Sequence, residues 1–289
     1  MSGFFAILAA CSRNVNWRNV IKPLHYLYHS SAIRNKDPCF MPQSDLLAGR
    51  TVLVTGASSG LGEHFAQVLA ASGATVIGVA RRAERLEALA DKIGQERFKA
   101  VTADLGTAAG IASLVPHIAQ VDILVNNAGI VAGAPAIDLA EADWDDQVDL
   151  NLKASFLVAQ QAARTMRAHG RGGSIINISS VIGLQPSANV LPYAVAKAGV
   201  IQLTKGLALE WAGFGIRVNA IAPGFFDTEM NHDMWETDEG KALIEDIPQR
   251  RLGDHADLDG PLLLLASDAS RYMTGSVLLV DGGYLLGRA

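Results

Sequence analysis

Thr51-Val52-Leu53-Val54 runs directly into Thr55-Gly56-Ala57-Ser58-Ser59-Gly60-Leu61-Gly62, and the periodic stretch Glu63–Ala71 follows. A β-branched run, a glycine-rich turn and an amphipathic helical stretch in that order describe a strand that feeds a crossover helix. At such a junction the helix N-terminus presents free N–H groups and partial positive charge, so an anion is the natural occupant. Gly56 permits the turn, Gly60 permits close backbone approach to a pyrophosphate, and Gly62 relieves helix–sheet packing. Glycines there can also make a tight turn and nothing more, so the context must come from the rest of the chain.

Working outward, apolar runs alternate with amphipathic stretches from Gly49 onward. Strands are predicted at Thr51–Val54, Thr75–Val79, Phe98–Thr102, Ile123–Val125, Ser174–Ile178, Ile216–Ala220 and Val277–Val280. Helices are predicted over Glu63–Ala71, Glu84–Ile93, Ile111–Ile118, Trp144–Ala168 and Tyr193–Trp211. This alternation implies an α/β chain: a single Rossmann-like, doubly wound domain with a seven-stranded parallel sheet flanked by helices. No linker divides residues 49–289, and there is no internal repeat. The 289 residues are 49% hydrophobic and 18% charged, enough to bury a sizeable core and incompatible with wholesale disorder. No apolar run reaches the ~18–20 residues a bilayer span needs, so the chain reads as soluble.

The formal net charge of −5 is uneven. Residues 1–48 carry a local +3, and residues 49–289 carry −8, which argues against nucleic-acid binding by the core. Residues 1–36 hold five Arg or Lys, no acid and several Ser, a composition that resembles a mitochondrial presequence. Residues 1–48 are therefore read as a targeting presequence or a disordered leader. Residues 1–45 as a presequence would place the protein in the mitochondrial matrix, and otherwise in the cytoplasm. Both cysteines, Cys11 and Cys39, lie in this segment, so the core has no disulfide framework and no thiol metal site.

The spacing in the glycine turn is TGxxxGxG, and with it the chain resembles the short-chain dehydrogenase/reductase family. The resemblance spans about 235 residues, from Gly49 to Gly283, and rests on motifs in a specific order. These are the glycine turn, Asp104, Asn126-Asn127-Ala128-Gly129, Asn151 within a long helix, Ser180, Tyr193-Ala194-Val195-Ala196-Lys197 and Pro223-Gly224. The resemblance implies that Gly56, Ser58, Ser59, Gly60, Leu61 and Gly62 form the cofactor loop. It also implies that Asp104 with Leu105 lies near the adenine, Asn127, Ala128 and Gly129 beside the adenosine ribose, and Pro223, Gly224 and Thr228 near the nicotinamide.

Charge at the end of the second strand bears on cofactor choice. An acid there would bond a ribose 2′-hydroxyl and repel a 2′-phosphate. The run is instead Val79-Ala80-Arg81-Arg82: Ala80 takes the acidic position, and Arg81 follows where a guanidinium can pair with a phosphate, with Arg82 next to it as a further cofactor residue. NADP(H) is favoured, with NAD(H) as the alternative, and a solvated helix start is the bland reading of the two arginines. Where many family members with that preference carry a basic residue in the glycine loop, this chain has Ser58 and Ser59.

Tyr193 and Lys197 are four residues apart, so a helix puts them on one face, with the ammonium able to approach both the phenol and a bound ribose. A phenol titrates near pH ~10, and nearby positive charge from Lys197 and an oxidised nicotinamide would favour phenolate. Tyr193 is the expected general acid/base. Ser180 ends a predicted strand, where ligands collect on a parallel sheet, and its hydroxyl can bond the reacting oxygen or cap a turn. Its neighbour Ser179 reads as the structural serine. Asn151 is a poor helix former inside a long helix, and the family arrangement implies that it holds a kink and a proton-relay water. The implied reaction is reversible hydride transfer between a nicotinamide cofactor and a carbonyl or secondary-alcohol carbon, with no metal required.

Phe225–Pro248 is expected to be a substrate lid, with Phe225, Phe226, Met230, Met234 and Trp235 lining a pocket or packing on the lid's own body. A 3-oxoacyl thioester is one candidate substrate, since Arg164, Arg167 and Arg171 could receive an acyl carrier protein. An NAD-dependent sugar or secondary-alcohol dehydrogenase is the alternative, and a catalytically silent nucleotide-binding scaffold is the reading from another functional class. The Ala-, Leu- and Val-rich helices around Asn151 and Tyr193 and the family resemblance imply a homotetramer. The histidines share no ligand spacing, and Gly172-Gly173-Ser174 is not the GxSxG of a hydrolase.

Overall fold

The β-branched and aliphatic runs form seven parallel strands in a computed structural model that describes residues 45–287. They are β1 (Thr51–Thr55), β2 (Thr75–Ala80), β3 (Phe98–Thr102), β4 (Ile123–Asn126), β5 (Gly173–Ile178), β6 (Ile216–Pro223) and β7 (Val277–Val280). Their order across the sheet is β3-β2-β1-β4-β5-β6-β7. The inner strands are buried on both faces and most read as nearly unbroken apolar runs, whereas the edge strands β3 and β7 are partly exposed. Alternation along β1 sends Val52 and Val54 to one core layer and Leu53 to the other. The first layer packs under α1 (Gly60–Ala71) and α2 (Ala83–Ile93), and the second under the long helices of the chain's middle third.

The strand order reverses between β1 and β4, since β2 and β3 follow on one side and β5 to β7 on the other. A crevice opens at the carboxyl ends of strands at such a switch point, and the glycine turn after β1 lies beside it.

All seven predicted strands form, most extended by one to three residues. The helices depart more. Ile111–Ile118 divides into α3 (Ala108–Ala112) and α4 (Val115–Ile118), because Pro116 has no N–H to carry one helix through and instead occupies the first turn of the next. Trp144–Ala168 is α5 (Glu141–Val148), a π-helical turn over Asp149–Lys153, and α6 (Ala154–His169). α7 (Leu191–Trp211) begins two residues before the expected start. Two helices escaped the sequence reading, α8 (Asp238–Asp246) and α9 (Asp259–Ala266). α9 opens on Asp259-Gly260-Pro261, which reads as a loop although Pro is tolerated in a first turn.

The proposed leader lies outside the described residues, apart from its last positions. There Leu47 is buried in the core and its N–H bonds Ser72 O at 2.8 Å, so the folded body starts upstream of Gly49. No helix among the described residues is long and apolar enough to cross a membrane.

Candidate active site

The glycine turn closes because Gly56 and Gly60 take positive φ angles of 69° and 54°. Thr55 stitches this turn to the neighbouring one: its hydroxyl accepts from Asn127 N at 2.9 Å and Ala128 N at 3.0 Å, while Asn127 Nδ2 donates to Thr55 O at 3.0 Å. A β-carbon at Gly62 would collide with Gly56 O and Asn127 Nδ2, so this glycine serves helix–turn packing and does not itself line the cleft. α1 starts without a side-chain cap, which leaves its first N–H groups facing the cleft as an anion cradle.

The cleft encloses about 300 Å³ and runs from Arg81 and Arg82 at one end to Ser180, Tyr193 and Lys197 at the other. Gly56, Ser58, Ser59, Gly60 and Leu61 form one wall. Asp104, Leu105, Asn127, Ala128 and Gly129 lie along its middle, and Pro223, Gly224 and Thr228 close the far side. Asp104 is exposed and shaped by its own turn, its Oδ1 accepting from Gly106 N at 3.0 Å.

At the second strand's end the two arginines differ. Arg81 is exposed, whereas Arg82 turns into the glycine loop, donating to Ser58 Oγ at 3.0 Å and Ser59 Oγ at 2.6 Å. The serines that stand where a basic residue was expected thus bring a guanidinium into the loop from outside it.

At the other end α7 places Tyr193 and Lys197 on one face, with Lys197 Nζ 5.5 Å from the Tyr193 ring centroid. Lys197 is buried and donates to Ile178 O at 2.9 Å. Burial lowers its pKa to about 8. Burial also raises the Tyr193 pKa above its usual value, and a hydrogen bond with Ser180 pulls in the opposite direction. Desolvation is the larger of these two effects, so in the chain by itself the Tyr193 pKa shifts upward, opposite to the phenolate-favouring shift expected from Lys197 and an oxidised nicotinamide. Ser180 Oγ additionally accepts from Ile182 N at 3.2 Å, so it caps the following 3-10 turn as well as facing the phenol. Ser179 is structural as expected, its hydroxyl donating to Lys197 O at 2.8 Å.

Asn151 does not line the cleft. It lies fully buried in the π-helical turn, accepting from Ile130 N at 3.0 Å and donating to Ile130 O at 2.8 Å. A β-carbon on Gly129 would collide with Asn151 Oδ1, so Asn151 sets the position of the Gly129-Ile130 wall from behind. Sequence reasoning assigned no role to a buried polar chain behind the site. Asn126 Nδ2 donates to Asn177 Oδ1 at 3.0 Å and Asn177 Nδ2 to Thr204 Oγ1 at 2.9 Å, tying β4, β5 and α7 together. The available signal was Asn177 within an apolar strand, since a buried amide needs partners. Gly183 was also missed; a side chain there would strike the backbone of Lys197.

The lid residues separate. Phe226 and Trp235 are buried, and Phe225 packs edge-on against Trp235 and Tyr284 at centroid distances of 5.9 and 4.9 Å. Met230 is exposed at the cleft and Met234 is exposed outside the cleft lining. Among the described residues no cluster of three or more His, Cys, Asp or Glu is placed to hold a metal ion.

These features fit a nicotinamide dinucleotide: an uncapped helix N-terminus for pyrophosphate, guanidinium groups at the adenosine end, and a buried ammonium with donors to spare beside the phenol. Residues 50–239 match the short chain dehydrogenase family. The chain is 40% identical over 246 residues to a 2-dehydro-3-deoxy-D-gluconate 5-dehydrogenase of Dickeya dadantii, covering 83% of this chain and 96% of that protein. It is 38% identical over 240 residues to a 3-oxoacyl-[acyl-carrier-protein] reductase of Rickettsia bellii, covering 83% and 98%. The crystal structure of a gluconate 5-dehydrogenase from Burkholderia cenocepacia in complex with NADP and tartrate superposes with a TM-score of 0.80 at 35% identity, over 85% of this chain and 98% of that one. Sheet order, cleft and sequence agree that the chain belongs to the short-chain dehydrogenase family, NAD(P)-dependent oxidoreductases that act on CH–OH groups.

Proposed function

We propose that the protein is an NADP(H)-dependent oxidoreductase that interconverts a small polyhydroxylated carbonyl compound, of the sugar-acid or polyol class, with its secondary alcohol. The convergence of Ser180, Tyr193 and Lys197 on one cleft carries the reading. The nicotinamide cofactor, when bound, supplies or accepts the hydride. In reduction Tyr193 Oη gives its proton to the substrate oxygen while Ser180 Oγ holds that oxygen by a hydrogen bond. Lys197, whose Nζ stands 5.5 Å from the Tyr193 ring centroid, would hold the cofactor ribose and add positive charge beside the phenol. Asn151 acts as a positioning residue through Ile130.

The preference for NADP(H) is supported by Arg81 and Arg82 at the adenosine end and by the NADP in the Burkholderia structure. The substrate class is supported by the relatives named as gluconate-type dehydrogenases and by the placement of three arginines. A crossover helix runs back from the carboxyl to the amino ends of the strands, so the last turns of α6 lie on the far edge of the sheet from the cleft. Arg164, Arg167 and Arg171 are there. Arg171 pairs with Asp122 at 3.1 Å, and Arg167 stacks over the Phe214 ring at 4.5 Å. A carrier protein held by them would sit away from the reacting centre, which removes the argument those arginines made for a carrier-bound 3-oxoacyl substrate.

A screen of polyhydroxy acids, polyols and 3-oxoacyl thioesters with NADP(H) and NAD(H) tests this. Turnover of a sugar acid or polyol with lower KM for NADP(H) is expected; turnover confined to 3-oxoacyl thioesters would overturn the substrate class. A homotetramer and a matrix location belong to the same proposal. The first is supported by exposed apolar side chains on α7, in the 3-10 turn after it and near the C-terminus, such as Leu209, Phe214 and Leu286 respectively, and the second by the basic, acid-free composition of residues 1–36. Residues 1–45 fused to a fluorescent protein should direct it to mitochondria, and a diffuse cytosolic signal would contradict that location.

A further inference from the structure

The segment after β6 reaches across the cleft to the adenosine end. Asn231 organises it, accepting from Thr228 N at 2.9 Å and donating to Phe226 O at 2.9 Å. Thr228 in turn lies against the glycine loop, where a β-carbon on Gly60 would stand 3.6 Å from it. The next residue, Glu229, places its carboxylate on the two guanidinium groups at the start of α2. Its oxygens lie 2.6 and 2.7 Å from Arg85 Nη1, and Oε2 lies 3.4 Å from Arg82 Nη1. Arg82 is the same side chain whose other nitrogens hold Ser58 and Ser59. Both Arg82 and Glu229 line the cleft. The arginines keep Glu229 ionised, with its pKa lowered chiefly by the hydrogen bond from Arg85.

A 2′-phosphate that used Arg82 would arrive as an anion beside this carboxylate. Either the two anions repel at close range, or Glu229 gives up its contacts and the segment from Thr228 to Asn231 shifts with it. A 2′-hydroxyl meets neither obstacle. We infer that Glu229 is a cofactor-discriminating residue: its carboxylate holds Arg82 and Arg85 in place of a 2′-phosphate, so NADP(H) must displace it and NAD(H) need not. The inference rests on the reading of Arg82 as a 2′-phosphate partner. It makes the proposed cofactor preference a balance between guanidinium attraction and an internal competing anion, and it ties occupation of the adenosine end to the substrate-side loop. Because the ion pairs are exposed, the competition is worth a modest factor and weakens with salt.

The full-length protein can be titrated calorimetrically with 2′,5′-ADP and with 5′-AMP, which differ in the 2′-phosphate and need no turnover. Glu229→Gln should tighten 2′,5′-ADP roughly five- to tenfold and change 5′-AMP by less than twofold, while Glu229→Asp should stay near the wild type. Unchanged or weaker 2′,5′-ADP binding in Glu229→Gln, or equal tightening of both ligands, overturns the inference. Arg82→Ala separates the two levels of the argument. If it weakens 2′,5′-ADP selectively while Glu229→Gln does nothing, only the competition fails. If it affects neither ligand, the phosphate reading fails, and the role of Glu229 fails with it.

Discussion

Lys197 occupies a site that disfavours its own charge. Its folded pKa of about 8 lies below the ~10.4 of an unfolded lysine, so between these values the unfolded state binds more protons and stability rises with pH. Below about pH 8 the native state carries the full penalty, up to roughly 3 kcal/mol. Lys197→Met should therefore unfold at higher denaturant concentration than the wild type at pH 7, with the advantage shrinking as pH rises through 8 toward 10, and it should lose most activity. An equal or lower midpoint at pH 7 would show that the ammonium is better satisfied than its burial implies. Tyr193 carries the complementary expectation. Its pKa is raised by burial, so carbonyl reduction, which needs the phenol protonated, should be flat from pH 6 to 8. Alcohol oxidation, which needs the deprotonated form, should climb through the same range, and parallel profiles for both directions would remove Tyr193 from the proton step. The Tyr193–Lys197 pair is legible in sequence because helical spacing alone sets it. The inward turn of Arg82 in place of Arg81 is not legible, because it depends on how α2 starts and on serines 23 and 24 residues away.

The π-helical turn between α5 and α6 exists where Asn151 trades helix propensity for two hydrogen bonds to Ile130. Removing them from a fully buried position leaves backbone groups without partners, so Asn151→Ala should cost roughly 2–4 kcal/mol in denaturant unfolding. Because Ile130 and Gly129 wall the cleft, the same variant should lower kcat more than it raises KM; a change in stability with normal kcat would confine Asn151 to the scaffold. At this scale the strands were legible, since most inner strands are buried on both faces and read as compact apolar runs, and β3 and β7 carry enough β-branched and aliphatic residues to be found at the edges. The break in Trp144–Ala168 was not, because a π-turn leaves the apolar spacing nearly intact and is set by the tertiary contact to Ile130. α8 and α9 were hidden for different reasons: α8 is mostly polar and capped by Thr237, and α9 begins with Gly260-Pro261.

Across the molecule, the reversal of strand order puts the glycine turn, the Asn127-Ala128-Gly129 turn, Ser180 and the end of β6 along one edge of the sheet. Arg164, Arg167 and Arg171 looked like partners of that site in sequence and lie at the other edge, a distinction only the direction of α6 reveals. The exposed apolar residues on α7 predict that sedimentation velocity will find a homotetramer, and a monomer at micromolar concentration would refute it. Catalysis depends on one phenol, Tyr193, moving a proton in step with hydride transfer. The decisive measurement is single-turnover reduction by Tyr193→Phe under saturating NADPH, with cofactor binding followed by fluorescence. The expected result is binding within a few-fold of wild type and hydride transfer slowed by roughly a hundredfold or more; a near-normal rate with NADPH bound would contradict it.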